Sequence, residues 1–269
     1  MDVSQRRFRY EEFTWPEIRE LVREQPVCVI PVGTIEQHGP HLPLITDACT
    51  ATEISRLAVE KVVPKAVLLP TVSYAFNEHH LDFPGTIAID THPFINYVAG
   101  IGQSLAHHGF RKILFVNGHG SNVPFLDIAA RTITNKTEAI CAMVSWWSLM
   151  PQELFLDIRE SEFPGGMAHA CELETSVMLH LRPDLVQMGK AERDLHFERS
   201  NYIWWDLQRV SPVTYQEWFS RYSKTGTVGD PTKASAEKGG RVVEAVVGRL
   251  EGFLDEFRQR RIQPRVDHH

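Results

Sequence analysis

The sequence predicts an α/β protein: a mostly parallel sheet between two layers of helix, a three-layer α/β/α sandwich. Three observations lead there. Short apolar runs alternate with segments of helical period, the pattern of βαβ units. The two loops richest in chemistry, 33–47 and 117–122, each follow an apolar run directly, as sites do outside the carboxyl ends of parallel strands. The chain has 269 residues, 43% of them hydrophobic, enough to bury a substantial core.

Thr14-Trp-Pro-Glu17 has the form of a helix start, with Thr as cap, Pro at the first helical position and Glu closing a capping box, and predicts a helix to about Glu24. Val27–Val32 is a short buried strand. Thr46 is read as the cap of a helix over 47–62, with Ile54, Leu57, Ala58 and Val62 on one stripe, and Pro64 stops it. Residues 66–72 form the second strand candidate, followed by a polar loop over 76–86. A helix runs from Thr91 to about His108, where Gly109 ends it. The remaining strands are expected at 112–116 and 139–147, with helices at 123–134, near 151–159, and through Val177–Leu181. Ala234–Arg261 is the clearest helix, because Val242, Val243, Val246, Val247, Leu250, Phe253, Leu254 and Phe257 repeat at helical spacing. Residues 184–230 carry no strong period and read as a peripheral arm on a single domain spanning 1–269.

Composition narrows the partners. With 28 basic and 34 acidic residues, a net charge of −6 and no long run of one sign, neither nucleic acid nor an anionic membrane is expected as the main partner. The four cysteines, Cys28, Cys49, Cys141 and Cys171, include no C-x-x-C pair and read as reduced thiols of a cytoplasmic protein. The charged N-terminus precedes no signal core, and no stretch is apolar and long enough to span a bilayer. His268 and His269 at the C-terminus are set aside as a tag-like remnant.

Chemistry concentrates after the first strand. In Pro31-Val-Gly-Thr-Ile-Glu-Gln-His-Gly-Pro-His-Leu-Pro, Glu36 and His38 are two apart and share a face if the chain stays extended; Asp47 follows after a loop. Two carboxylates and an imidazole leaving one strand end suit a divalent ion of the Zn or Mn type. The plainer reading makes Asp47 a helix cap, Glu36 a solvated acid and His38 a loop histidine. Convergence with 117–122 and 165–176 at one sheet edge weighs against it.

These residues resemble the creatininase (creatinine amidohydrolase) family. The resemblance rests on the segment from Pro31 with Asp47, on His80-Leu-Asp-Phe-Pro-Gly-Thr86, on Asn117-Gly-His-Gly-Ser-Asn122, on His169-Ala-Cys-Glu-Leu-Glu-Thr-Ser176 and on Gly229-Asp-Pro-Thr232, in family order. It implies two divalent metal ions per chain (Zn, Mn or Fe) and a hydroxide between them that cleaves mostly C–N bonds of small, often cyclic substrates. By resemblance Glu36 and His119 hold one metal, His38 the other, and Asp47 bridges both. True creatininases carry a further Glu at the position of Ser121; relatives with a small residue there use a Glu that corresponds to Glu174. His169, off the metals, is expected to protonate the leaving nitrogen, with Glu172 as its orienting partner, a second ligand or a salt-bridged helix-start acid. His80, Ser121, Asn122 and one of Trp146 or Trp147 are expected at the substrate. His41 is expected to structure its loop, and His79 to face solvent. The family also implies a homo-oligomer, a hexamer built as a trimer of dimers. Two other readings stand beside this one: a C–C hydrolase opening a cyclic polyol ketone, like 3-dehydro-scyllo-inosose hydrolase, and a non-catalytic metal-stabilised or nucleotide-binding scaffold. No G-x-G-x-x-G follows the first strand to favour nucleotide binding.

Overall fold

A computed structural model describes residues 7–269; the N-terminal residues 1–6, part of the signal-free start expected above, lie outside them. Helix α1 (Trp15–Arg23) begins with the expected capping box: the Thr14 amide and hydroxyl both donate to Glu17 Oε2 at 2.8 Å. Strand β1 (Val27–Val32) lies between β2 (Ala66–Leu68) and β3 (Lys112–Asn117), and β4 (Ile140–Ser145) pairs with β3, all parallel, in the order β2-β1-β3-β4.

Both faces of this sheet are covered, and side chains alternate between two cores. Val27 and Val29 of β1, with Leu114 and Val116 of β3, pack under α2 (Thr46–Lys61), α6 (Glu172–Leu181) and α7 (Ala236–Gln259). Cys28, Ile30 and Val32, with Ile113 and Phe115, pack under α3 (Thr91–His107) and α4 (Val123–Lys136). This is the three-layer sandwich the alternation predicts. From β1 the chain winds outward to β2; α3 then carries it back across to β3, and it winds outward again to β4. The strand order therefore reverses between β1 and β3, and a crevice opens at their carboxyl ends. Register fixes that edge: Val32 pairs with Asn117, and Asn117 with Ser145.

Several expectations are corrected. Ile45, not Thr46, is the cap of α2; the Thr46 hydroxyl instead donates to the Pro43 carbonyl at 2.7 Å. The fourth strand stops at Ser145, and Trp146–Leu149 form a 3-10 turn that carries both tryptophans into the core beneath α7. After α5 (Gln152–Ile158), β5 (Met167–His169) pairs antiparallel with β6 (Val228–Gly229), a small second sheet the sequence did not announce. Through it the irregular stretch over 183–227 returns to the sheet edge, so the arm is not peripheral to the site. The four cysteines are free thiols. Among the described residues no helix is long and apolar enough to cross a membrane.

Candidate metal centre

Two glycines set the geometry of the crevice by close approach. A Cβ at Gly33 would overlap the backbone of Asp47 and Ala48, and a Cβ at Gly118 would overlap the Asp47 carbonyl. Their absence lets the first turn of α2 seat itself between the ends of β1 and β3. Asp47, the acid of that turn, is thereby brought beside the residues that leave both strands, where the helix dipole favours its charge. The Asn117 side chain shapes the second loop, donating to the His119 carbonyl at 2.7 Å and accepting from the His119 amide at 3.1 Å.

Seven ionisable side chains meet there, all buried. Asp47 faces two ways: its Oδ1 lies 2.9 Å from His38 Nε2, and its Oδ2 lies 3.1 Å from His119 Nδ1. Glu36 Oε1 lies 3.3 Å from His119 Nδ1 and 3.7 Å from His169 Nδ1. Glu174 joins His38 and His169, and Glu36 joins Asp47 and His119, each as a set of ligand atoms within 4.8 Å of one another; Glu36, His80 and His169 form a third such set. Among the described residues, both Glu36 oxygens, Asp47 Oδ2 and His38 Nε2 are buried without a directed hydrogen bond, although charged neighbours stand close. Atoms that converge without hydrogen-bonding one another are aimed at a shared point between them.

The charges ask for a cation. Burial pushes the Glu36 carboxyl up, opposed by His119. Burial likewise pushes Glu174 up to about 7. Burial alone would lower His38 and His119, yet the facing carboxylates outweigh it: Asp47 raises His38 to about 9, and Glu36 with Asp47 raises His119 to about 10. Protons drawn onto these imidazoles mark where positive charge is needed inside the protein. Three carboxylates and neutral imidazoles around an interior point are a donor set that fits divalent Zn, Mn or Fe.

Other predicted residues fall elsewhere. His169 offers a ring nitrogen to two of these sets, and its Nε2 lies 2.9 Å from the Gln37 carbonyl. Glu172, two residues before Glu174, points away: it accepts from the Glu160 amide (3.1 Å) and the Ser161 amide (2.9 Å) and pairs with Lys238 of α7 at 2.5 Å. It is the salt-bridged helix-start acid, because a two-residue step on a helix turns the side chain to another face. Asn122 is buried and donates to the Gly33 carbonyl at 3.2 Å, tying the two loops together rather than facing a substrate. Trp146 and Trp147 are both buried in the core cluster, where one of them was expected at the substrate. His41 meets Thr175 Oγ1 at 2.9 Å, the loop-structuring role expected of it. His79 does not face solvent; it is half-buried, and its Nε2 lies 3.0 Å from Ser121 Oγ at the rim.

Sequence reasoning passed over two neighbours of the site. Phe219, from the arm, stacks on His80 with ring centroids 4.2 Å apart and meets His169 edge-on at 4.8 Å. Gln37 places its side-chain nitrogen 2.9 Å from His80 Nδ1 and 3.1 Å from His169 Nε2. A lone Phe in an aperiodic region gives no signal. The position of Gln37 between Glu36 and His38 was the one available hint.

Known proteins share this chain's fold and family. The family model described as "Creatininase: Creatinine amidohydrolase" matches residues 11–254. The chain is 33% identical over 238 residues to a mycofactocin precursor peptide peptidase of Mycobacterium tuberculosis, covering 85% of this chain and 84% of that one. It is 27% identical over 265 residues to a creatinine amidohydrolase of Pseudomonas putida, covering 92% and 95%. A crystal structure of creatinine amidohydrolase (creatininase) superposes with a TM-score of 0.80 at 26% identity, over 96% of this chain and all of that one. Related creatininase structures are described as Zn-Zn type and as Mn forms. The chain belongs to the creatininase family, whose members are metal-dependent hydrolases.

Proposed function

We propose that this chain is a binuclear metal-dependent amidohydrolase that breaks the C–N bond of an amide bulkier than creatinine. The single observation that carries the reading is Asp47, whose two oxygens face His38 and His119 separately, the disposition of a carboxylate shared by two cations. Glu36 and His119 would hold one ion in this reading, and His38 and Glu174 the other, with His169 beside both sets. Zn, Mn or Fe bound there supplies Lewis acidity, polarising a carbonyl and acidifying a water. The chain's own part is to hold that donor set rigid, to orient the imidazoles through Gln37, and to exclude bulk water with Phe219.

The named relatives point to an amide as the shared chemistry, since a peptidase and a creatinine amidohydrolase both cleave carbonyl–nitrogen bonds. Creatinine itself is disfavoured. Ser121 stands where true creatininases carry a carboxylate, and its hydroxyl is engaged with His79. By the family resemblance, Gly165-Gly166 lies where creatininases carry a bulky aromatic near the substrate ring, and a stacking contact of that kind is worth about 0.5–1.5 kcal/mol beyond area burial. Peptides and small cyclic or formylated amides are the substrates proposed in place of creatinine. A second reading, ring opening of a cyclic polyol ketone, is favoured by 26% identity over 271 residues to a 3-dehydro-scyllo-inosose hydrolase of Thermotoga maritima.

The test is a panel of creatinine, cyclic amides, formamides, short peptides and an inosose ketone, offered to metal-replete enzyme. Amine release from an amide is expected. For creatinine, a kcat/KM of about 10⁴ M⁻¹s⁻¹ or more, ordinary for a true substrate, contradicts the specificity proposed here. Turnover of the ketone with no amide cleaved favours the second reading.

A further inference from the structure

His80 is a member of the buried cluster whose partners decide between two opposite roles. Its Nε2 edge faces the site, 3.7 Å from Glu36 Oε1, in a position to ligate a cation through a bare nitrogen or to offer an N–H. Its Nδ1 lies 2.9 Å from the side-chain nitrogen of Gln37. The orientation of that amide follows from a third group: the Gly39 backbone N–H donates to Gln37 Oε1 at 2.9 Å, and a backbone N–H cannot accept. The amide therefore turns its NH2 toward His80. An NH2 only donates, so His80 Nδ1 accepts from it and carries no hydrogen. In the neutral ring the hydrogen is then on Nε2.

We propose that Gln37 is a positioning residue that fixes His80 in the Nε2–H tautomer, so that His80 enters the site as a neutral N–H donor to the substrate carbonyl oxygen and not as a metal ligand. The inference deepens the amidohydrolase reading and rests on it for the identity of the acceptor. Both nitrogens of His80 are committed, one to Gln37 and one to its own hydrogen, which leaves no lone pair for a cation. The ring is held from the arm as well. Phe219 stacks on it at 4.2 Å. At Gly226, where φ is +83°, a Cβ would collide with Gln37 Oε1, so the arm closes over the amide and keeps it from turning.

Gln37 treats the neighbouring imidazole in the opposite sense. His169 Nε2 lies closer to the Gln37 carbonyl (2.9 Å) than to its side-chain nitrogen (3.1 Å). Donation to that carbonyl leaves Nδ1 bare and facing Glu36, the arrangement in which a ligating histidine gives its other N–H to the backbone. One residue thus sorts two adjacent imidazoles, His80 into a donor and His169 into a lone-pair face. Donors that stabilise the oxygen of a reacting carbonyl contribute about 10²–10³-fold to turnover.

The experiment is a long-range ¹H–¹⁵N spectrum of the full chain, ¹⁵N-labelled at histidine and loaded with zinc, with His80 assigned from the spectrum of His80→Gln. The expected result is a bare, hydrogen-bonded Nδ1 and a protonated Nε2 that shows no metal shift. A proton on Nδ1, or a zinc-shifted Nε2, overturns the proposal. Gln37→Glu, which offers an acceptor in place of the NH2, is expected to move the hydrogen to Nδ1 and to lower kcat about 10²–10³-fold while KM changes less. It is also expected to retain the wild-type zinc content. An unmoved tautomer in a folded Gln37→Glu variant also overturns it. The wild-type spectrum needs no substrate, so the tautomer and the amidohydrolase reading fail separately.

Discussion

The sheet edge that carries Glu36, His38, Asp47 and His119 and the arm that carries Phe219 hold their side chains by different means. At the sheet edge, position comes from apolar packing and strand register. Both faces of β1 and β3 are buried, neighbouring residues point into separate cores, and a one-residue slip would exchange them. In the arm, single turns are pinned by polar hubs. Asp194 accepts from the Ser223 and Thr225 hydroxyls at 3.0 and 3.1 Å and from His196, and Arg159 forms a two-pronged pair with Asp206. The candidate ligand atoms thus sit on elements fixed by packing and register, while Phe219 reaches the site from a segment fixed by side-chain hydrogen bonds.

The largest effect is expected on the frame. Glu174→Gln should lose one cation and nearly all turnover, since even partners outside the coordination shell are worth about 10–100-fold in metal affinity. Glu172→Gln should keep both cations and much of the rate while losing about 1–3 kcal/mol of stability from its bonds to Lys238 and to the 160–161 amides. Elemental analysis and thermal melts of the two variants separate these outcomes; the reverse pattern would place the ligand two residues earlier.

The arm should respond differently. Asp194→Ala leaves the Thr225 hydroxyl and the Lys224 amide without their acceptor, while the Ser223 hydroxyl keeps the Thr227 carbonyl at 2.7 Å, at a cost of about 1–3 kcal/mol for each group left buried and unpaired. Metal content should stay at the wild-type value while KM rises more than kcat falls. Loss of metal in this variant would show that the arm belongs to the frame after all.

How much of this was legible follows the same division. The capping box at Thr14, the period of α7 and the alternation of strands and helices were readable because each is a local pattern with a local cause. Glu36, His38, Asp47 and His119 were readable because their residue types sit at strand ends. Trp146 and Trp147 were misplaced because an apolar run gives no warning of the 3-10 turn that ends β4. Phe219 and Gln37 were missed because their roles arise from contacts 139 and 43 residues distant, Phe219 to His80 and Gln37 to His80, which no periodicity encodes.

A smaller effect is expected with pH in metal-stripped protein. His38 and His119 have folded-state values of about 9 and 10, above the unfolded value near 6.5. Their contribution to stability is fully present below about pH 6.5 and is lost as pH rises through 9 to 10. The melting temperature of the metal-free chain should therefore fall from pH 7 to pH 10. In the loaded chain cations replace those protons, and this component should vanish. A fall of equal size in both would detach it from the site.

The smallest expected effect concerns the outer side of the arm. Tyr202, Val210, Val213, Tyr215 and Trp218 are exposed there. Apolar surface of this kind suits a closed homo-oligomer, here proposed as the hexamer that the family resemblance implies. Light scattering at micromolar concentration should show an assembly, and a monomer would remove the arm from any interface.

Six converging side chains are proposed to hold two cations in each chain, with Asp47 between them. Elemental analysis of protein purified without chelator tests this directly, with Asp47→Asn alongside. Two divalent ions per chain, both weakened by the single substitution, is the predicted result. One ion per chain in a fully active enzyme, or an Asp47→Asn variant that loses one ion and holds the other at wild-type affinity, would contradict it.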